Sequence, residues 1–339
     1  MSRRLAGTAG VTVLVLGWAL LPAMAAGPYE VVLDTANDTL NSGDPLGDEN
    51  TPGGEIALSG GKYAFASGGL DLGGYKVYTD NGTSFTLNLG GSDVDGSGGA
   101  AFATARNGNT GSITIENVGS VNVAGSVDTS VPDNSGERAA GNFTLGSSGT
   151  PAGDVTIGSI STDGGGNTGG SGRRSAGDVA IYATGDLATG AILAFGGRIG
   201  PAGSVTIGAG TVRPADIQVG GNIYTYAGKA NSGAHSDTVT LYGGGDVTIS
   251  GNINTRNRYN STGGTALDES DVKIDHSGSL SVGNIVTRWS ATQDYYNGAH
   301  RAGDVTLYGG GAGGTCVAGS INAGTANARR LNGGAIDIS

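Results

Sequence analysis

Residues 237–255 read Asp-Thr-Val-Thr-Leu-Tyr-Gly-Gly-Gly-Asp-Val-Thr-Ile-Ser-Gly-Asn-Ile-Asn-Thr. Valine, leucine and isoleucine alternate here with polar residues, which is the pattern of β-strands that turn one face inward. Glycines separate the alternating segments and mark tight turns. The stretch therefore predicts a strand, a glycine turn, a second short strand, and a third strand that follows Gly251.

Two motifs from this stretch recur along the chain. The first is Gly-Asp-Val-Thr-Ile or a variant of it, at residues 111–115, 153–157, 177–181, 203–207, 237–241, 270–274, 303–307 and 334–338. The second is Gly-Asn-Ile-x-Thr or a variant of it, at residues 125–129, 158–162, 221–225, 251–255, 283–287 and 319–323. From Val155 through Val179 to Ile336, the first apolar positions lie 24 to 34 residues apart, and a polar loop absorbs the variation. Such a period is typical of repeat proteins.

A single repeat cannot bury its own apolar face, so successive repeats must stack. Stacking in register predicts an all-β fold, a right-handed single-stranded parallel β-helix (β-solenoid) with coils of about 24–34 residues. Three parallel sheets would then enclose one aliphatic core, and loop insertions would project sideways. β-Propellers are the main rival architecture, but their units run to about 40–50 residues and carry aromatic signatures that these repeats lack.

The first 26 residues differ from the rest of the chain. Arg3 and Arg4 precede an apolar segment at 11–21 and small residues around Ala25, which is the pattern of a secretory signal peptide. The apolar segment is about half as long as the ~20 residues that span a bilayer, so we expect export and a mature chain that does not span the membrane.

Overall composition supports the same class. The chain has 339 residues, of which 68 are glycine, 37% are hydrophobic and 14% are charged, so it has too little charge for a disordered protein. Without residues 1–26, 16 basic residues face 29 acidic ones, a net charge of −13. This acidity argues against a nucleic acid partner.

The two motifs resemble the repeats of large bacterial surface adhesins, namely filamentous-haemagglutinin-like proteins and autotransporter passenger β-helices. The resemblance covers residues 111–339, which we assign to the repetitive β-helix. It implies a long, rigid stalk that is secreted or held at the cell surface and takes part in adhesion. Residues 27–110 are interpreted as a capping segment with irregular first coils. Because residues 335–339 stop within a motif, we expect further chain or a partner to cover the last coil.

Several polar and aromatic residues occupy equivalent places in successive repeats. Asn222, Asn252 and Asn284 predict an inward ladder of amides that hydrogen-bond from coil to coil. Tyr242 and Tyr308 predict cross-strand stacking on an outer sheet face. Cys316, the only cysteine, lies in an apolar strand and is interpreted as a buried filler of the core.

Ligand-binding candidates are the aromatic residues of the variable loops, because exposed rings stack on sugar rings. These candidates are Tyr259, Trp289, Tyr295 and Tyr296. The partner they imply is carbohydrate or a host or neighbouring cell surface. We expect no cofactor.

Catalytic and metal sites have weaker candidates. Asp268, Asp271 and Asp275 form an acidic cluster that would suit a polysaccharide-acting enzyme, although a solvated loop face is the favoured interpretation. His235 and His300 occupy matching repeats but lie two coils apart, too far to share a metal without help from the coil between them.

The sequence therefore predicts an exported structural or adhesive surface protein without catalytic activity. The alternative is a polysaccharide lyase or glycoside hydrolase on a β-helix scaffold.

Overall fold

The computed structural model describes the chain in segments. The described residues are 30–33, 55–58, 61–67, 70–72, 76–79, 84–104, 110–131, 138–165, 174–197, 200–227, 229–230, 236–255, 258–259, 270–287, 289–291, 300–309, 315–323, 325–326, 331–332 and 335–339. Within them the fold is all-β, with strands β1 to β34 numbered in chain order. Parallel strands stack coil upon coil as a β-solenoid, which confirms the predicted architecture. None of the described residues belongs to a helix that could cross a membrane.

One long sheet, here called sheet 1, contains the first strand of each coil. Its strands, in order of pairing, are β1 (Glu30–Leu33), β3 (Gly61–Ser67), β6 (Phe85–Asn88), β9 (Ile113–Glu116), β12 (Phe143–Leu145), β15 (Val179–Ile181), β18 (Val205–Ile207), β22 (Val239–Tyr242), β26 (Val272–His276), β30 (Val305–Gly309) and β34 (Ile336–Ile338).

A second hydrogen-bonded sheet bends within its longest strands, and its two arms are called sheet 2 and sheet 3. The long strands shared by both arms are β10 (Val121–Asp128), β13 (Val155–Ser161), β27 (Leu280–Val286) and β31 (Cys316–Asn322). Sheet 2 also contains β4 (Leu70–Asp71), β7 (Val94–Gly96), β16 (Leu187–Thr189), β19 (Ile217–Val219) and β23 (Val247–Ile249). Sheet 3 also contains β2 (Glu55–Leu58), β5 (Lys76–Thr79), β8 (Ala101–Ala103), β17 (Ile192–Leu193), β20 (Ile223–Tyr224) and β24 (Ile253–Asn254).

Short strands in the side loops form three further small sheets. They are β11 (Arg138–Ala139) with β14 (Arg174–Ser175); β21 (Lys229–Ala230), β25 (Arg258–Tyr259), β28 (Trp289–Ala291) and β32 (Thr325–Ala326); and β29 (His300–Arg301) with β33 (Leu331–Asn332). The loops between sheets 3 and 1 therefore continue the parallel stacking of the coils.

Alternation in the sequence becomes alternation in burial. Val205 pairs with Val179 on one side and Val239 on the other, and all three side chains are fully buried. The buried aliphatic and aromatic side chains form one connected core from Leu70 to Ala323. Each coil therefore supplies only part of an interior that its neighbours complete.

One repeat was assigned to the wrong sheet by its sequence. Val155 of Gly153–Ile157 pairs with Val121 and Leu187 in sheet 2 and not with Val179. The sheet 1 strand of that coil is β12, in which Phe143 pairs with Val179. The first inward residue of each sheet 1 strand, from Phe85 to Ile336, therefore recurs 26 to 36 residues after the one before it.

The two ends of sheet 1 differ. Strand β1 pairs antiparallel with β3, whereas the other pairings of the described strands are parallel. At the opposite end β34 pairs with β30, and its side chains Ile336 and Ile338 are 49% and 56% exposed. The predicted signal peptide at residues 1–26 lies outside the described residues.

Candidate functional site

Six of the side loops leave sheet 3 at a buried threonine that closes the base of the loop, whereas the loop after β17 has Ala194 at this position. The threonine Oγ1 donates a hydrogen bond to a backbone carbonyl just before sheet 1 resumes. These bonds join Thr104 to Gly111 (2.6 Å), Thr129 to Gly141 (2.5 Å), Thr162 to Gly177 (2.6 Å), Thr225 to Asp237 (2.6 Å), Thr255 to Ser270 (2.9 Å) and Thr287 to Gly303 (2.7 Å). Loops of different length are therefore held to the core by one repeated contact, here called the threonine latch.

Two of the four aromatic candidates lie in the four-stranded side-loop sheet. Tyr259 belongs to β25 and pairs with Ala291 of β28, the strand that begins at Trp289. The two aromatic residues are thus on neighbouring strands, two register positions apart. Tyr295 and Tyr296 lie outside the described residues.

The acidic candidates are engaged in contacts between coils. Asp271 Oδ1 accepts a hydrogen bond of 2.8 Å from the backbone N–H of Asp304 in the next coil. Asp275 belongs to β26 and accepts bonds of 2.8 and 2.9 Å from both terminal nitrogens of Arg213. Asp275 therefore lies in a strand rather than in a loop, Asp271 is exposed at the corner before β26, and Asp268 lies outside the described residues.

Polar side chains of successive coils form a ladder at the corner that precedes the sheet 3 strands. Asn222 Oδ1 accepts from the backbone N–H of Asn252 at 2.8 Å, and Asn252 Oδ1 accepts from that of Asn284 at 3.0 Å. These amides are half-exposed or exposed at the corner rather than inward, because the adjacent isoleucines fill the core positions. Asp154 and Asp216 accept backbone N–H bonds from the next coil in the same way before sheet 2.

The outer face of sheet 1 carries a cluster of cations and aromatic rings. The Lys273 ammonium nitrogen lies 5.0 Å from the ring centre of Tyr242 and 5.9 Å from that of Tyr308. Tyr242 and Tyr308 lie two strands apart, with Asp275 between them in register, and both rings contact the cation of the intervening strand. The hydrogen bond from Arg213 to Asp275 raises the pKa of the guanidinium group despite partial burial.

The bend between sheets 2 and 3 carries a groove on the outside of the solenoid. Four successive coils line it, and its cavity volume is about 270 Å³. The lining residues, here called the outer groove, are Thr156, Ile157, Gly158, Ala188, Thr189, Gly190, Gln218, Val219, Gly220, Thr248 and Ser250. None of these residues is charged.

Thr189 is the unusual member of the outer groove. It occupies the register position between Ile157 and Val219, where those coils place aliphatic side chains. Thr189 is 6% exposed, and its hydroxyl has no hydrogen-bond partner among the described residues. A buried hydroxyl without a partner destabilises a fold by about 1–3 kcal/mol.

A patch of aromatic rings lies beyond the groove on the outer face of sheet 3. The rings of Phe195 and Tyr226 are stacked with centres 5.1 Å apart and an interplanar angle of 8°. Tyr224 is tilted against Tyr226, with ring centres 5.5 Å apart. All three side chains, here called the aromatic patch, are half-exposed. Sequence reasoning missed Phe195, because the tyrosines pair with it only through the coil register.

The remaining candidates do not come together as a reactive site. Cys316 is exposed, which contradicts the predicted burial, because β31 is at the edge of its sheet and, among the described strands, pairs with β27 alone. Partial burial raises the pKa of the Cys316 thiol. His300 pairs with Leu331, while His235 lies outside the described residues. The described part of the chain holds no cluster of three or more metal-ligating side chains.

Comparisons with profiles of known protein families, with curated proteins and with solved structures found no match to this chain.

Proposed function

We propose that this chain is an exported, non-catalytic structural and adhesive surface protein, a rigid solenoid that presents its side loops to a carbohydrate or a cell surface. The threonine latch carries this proposal. It fixes loops of different length to one continuous core, so the loops can vary while the scaffold remains rigid. The resemblance of the repeats to adhesin repeats supports the same function.

The surface proposed to contact the partner is the four-stranded side-loop sheet of β21, β25, β28 and β32. Tyr259 and Trp289 lie on its neighbouring strands, and aromatic rings bind sugars and protein surfaces at little conformational cost. The acidic net charge disfavours nucleic acids and anionic lipid surfaces as partners.

Binding of the purified protein to immobilised polysaccharides and to whole bacterial and host cells tests this function. We expect saturable binding that falls at least about tenfold in the double variant Tyr259→Ala/Trp289→Ala, which removes two aromatic anchors. Tyr308→Ala is the matched control, because Tyr308 is exposed on sheet 1 away from the side loops.

An enzyme would give a different result in the same assay. Depolymerisation of a polysaccharide by the wild-type protein, abolished in the triple variant Asp268→Asn/Asp271→Asn/Asp275→Asn, would contradict the proposal and support a lyase or hydrolase. Failure to bind any surface would also contradict it.

Export is tested separately in cells that express the whole chain. We expect the protein outside the cytoplasm, with a new N-terminus close to Ala26. Recovery of an uncleaved cytoplasmic chain would contradict this part of the proposal.

A further inference from the structure

The outer groove lies at a different corner of the coil from the side loops. We propose that the outer groove and the aromatic patch form a binding site for a neutral oligosaccharide. The site is independent of the side-loop surface, since it is built from the bend between sheets 2 and 3.

The uncharged lining of the groove and the carboxylates beside it indicate which class of ligand the groove binds. The groove offers the hydroxyls of Thr156, Thr248 and Ser250 and the amide of Gln218, which both donate and accept hydrogen bonds. The hydroxyl groups of a sugar also do both, so they match this lining. The Asp216 and Asp246 carboxylates lie two residues before Gln218 and Thr248 and give the groove a negative rim. That rim repels uronic acids and other anionic sugars.

Thr189 forms part of the groove wall, but its hydroxyl does not face the groove. Its side chain occupies the same register position as Ile157 and Val219, which belong to the hydrophobic core, and its hydroxyl is buried without a partner among the described residues. The polar contacts to a ligand therefore come from the outward side chains of Thr156, Gln218 and Thr248.

The dimensions and the neighbouring rings match an extended chain of sugars. Four coils stacked about 4.8 Å apart give a groove about 14 Å long. From Gly220 the outward positions continue through Asn222 to Tyr224 and Tyr226, because Ile223 and Thr225 are buried. Tyr224 lies within about 13 Å of Gly220 along the strand. Half-exposed stacked rings at that distance offer a platform for the apolar face of a pyranose.

Calorimetric titration with defined hexasaccharides tests the site. The neutral probes are cellohexaose, xylohexaose, mannohexaose and maltohexaose, and the acidic probe is hexagalacturonate. We expect at least one neutral probe to bind and the acidic probe to bind at least about tenfold more weakly. Binding of the acidic probe alone, or of no probe, would overturn the proposal.

A variant that fills the groove tests whether the ligand binds there. A Cβ on Gly220 would have its nearest neighbour at 3.6 Å and needs no left-handed backbone, so the backbone accepts a side chain here, and Gly220→Leu is chosen to fill the groove. We expect Gly220→Leu to abolish binding and Phe195→Ala/Tyr226→Ala to weaken it about tenfold. Thr206→Ala, on the outer face of sheet 1, should leave it unchanged. Binding that survives Gly220→Leu in a protein with an unchanged melting temperature would overturn the proposal.

Thr189→Val is the control for a structural change beside the groove. Valine keeps the shape of threonine and removes the unpartnered inward hydroxyl, so we expect a higher melting temperature with unchanged hexasaccharide affinity. Loss of binding in this variant would contradict the placement of the ligand on the outward side chains. Attachment of Gly220→Leu to whole cells distinguishes failure of this site from failure of the adhesive function, because that variant should lose hexasaccharide binding and keep the side-loop surface.

Discussion

Two corners of a coil are held by different kinds of contact. The bend between sheets 2 and 3 is short in the coils where the structure describes it, and most glycines there lie against the backbone of the coil before them. The corner between sheets 3 and 1 spans 7 residues at Thr104 and 16 residues at Thr287, yet the same hydroxyl-to-carbonyl bond closes it. Backbone contact keeps the first corner short, with 3 residues from Ile157 to Ile160 and 6 from Gly96 to Phe102. A single side-chain bond at the second corner admits longer and more variable loops.

The largest expected effect is at the bend. A Cβ on Gly190 would overlap the carbonyl oxygen of Gly158, while a Cβ on Gly220 meets only ordinary contacts. We expect Gly190→Ala to lower the free energy of unfolding by about 3 kcal/mol, since neighbouring coils must separate to admit the methyl group. Urea unfolding followed by circular dichroism measures the change. Gly220→Ala is the control, and equal losses in both variants would contradict the close-contact explanation.

An intermediate effect is expected at the threonine latch. Thr162 is fully buried and donates a 2.6 Å bond to the Gly177 carbonyl. Thr162→Val keeps the shape but leaves that carbonyl without its partner, so we expect a loss of about 1.5 kcal/mol. Thr206→Val, on a half-exposed outer face, should change stability by less than about 0.5 kcal/mol. An unchanged unfolding midpoint for Thr162→Val would show that the latch does not hold the loop.

The smallest effect is expected on sheet 1, away from both corners. Arg213 and Asp275 are 28% and 24% exposed, so Asp275→Asn should reduce stability by only about 0.5 kcal/mol, and less at high salt. Because the folded state raises the pKa of Arg213, this contribution is complete below the ordinary arginine pKa and is lost only above it. Thermal unfolding between pH 7 and 9 should therefore show a constant difference between variant and wild type. A difference that changes within this range would contradict the assignment.

Sequence patterns predicted the fold better than they assigned individual strands to sheets. Gly-Asn-Ile placed the sheet 3 strands correctly, as the pairing of Ile223 with Ile253 shows. Gly-Asp-Val-Thr-Ile misled at Val155, because sheets 1 and 2 use the same device before their strands. Asp178 accepts the backbone N–H of Ser204 before sheet 1, and Asp154 accepts that of Asp186 before sheet 2. Both corners require the same hydrogen bond to a backbone N–H and therefore carry the same residues. The motif alone cannot identify the sheet.

The sequence alone did not indicate the outer groove or the aromatic patch. The outer groove collects side chains from four coils whose alignment depends on the register of each pair of strands. Phe195 meets Tyr226 only in that register, and Phe195 belongs to neither motif. Thr189 could have been noticed as a threonine where the adjacent coils have Ile157 and Val219, but only after the coils had been aligned correctly.

Oxidative cross-linking of paired cysteines tests the coil register most directly. In a Cys316→Ser background, Thr156→Cys with Ala188→Cys places two outward thiols on register-paired residues, about 4.8 Å apart and within disulfide reach. Thr156→Cys with Ala180→Cys represents the register that sequence alone predicts, in which Val155 aligns with Val179. The structure predicts a disulfide in the first pair and none in the second, as read by mass spectrometry of proteolytic fragments. A disulfide in the second pair alone would contradict the account of a solenoid stacked in this register.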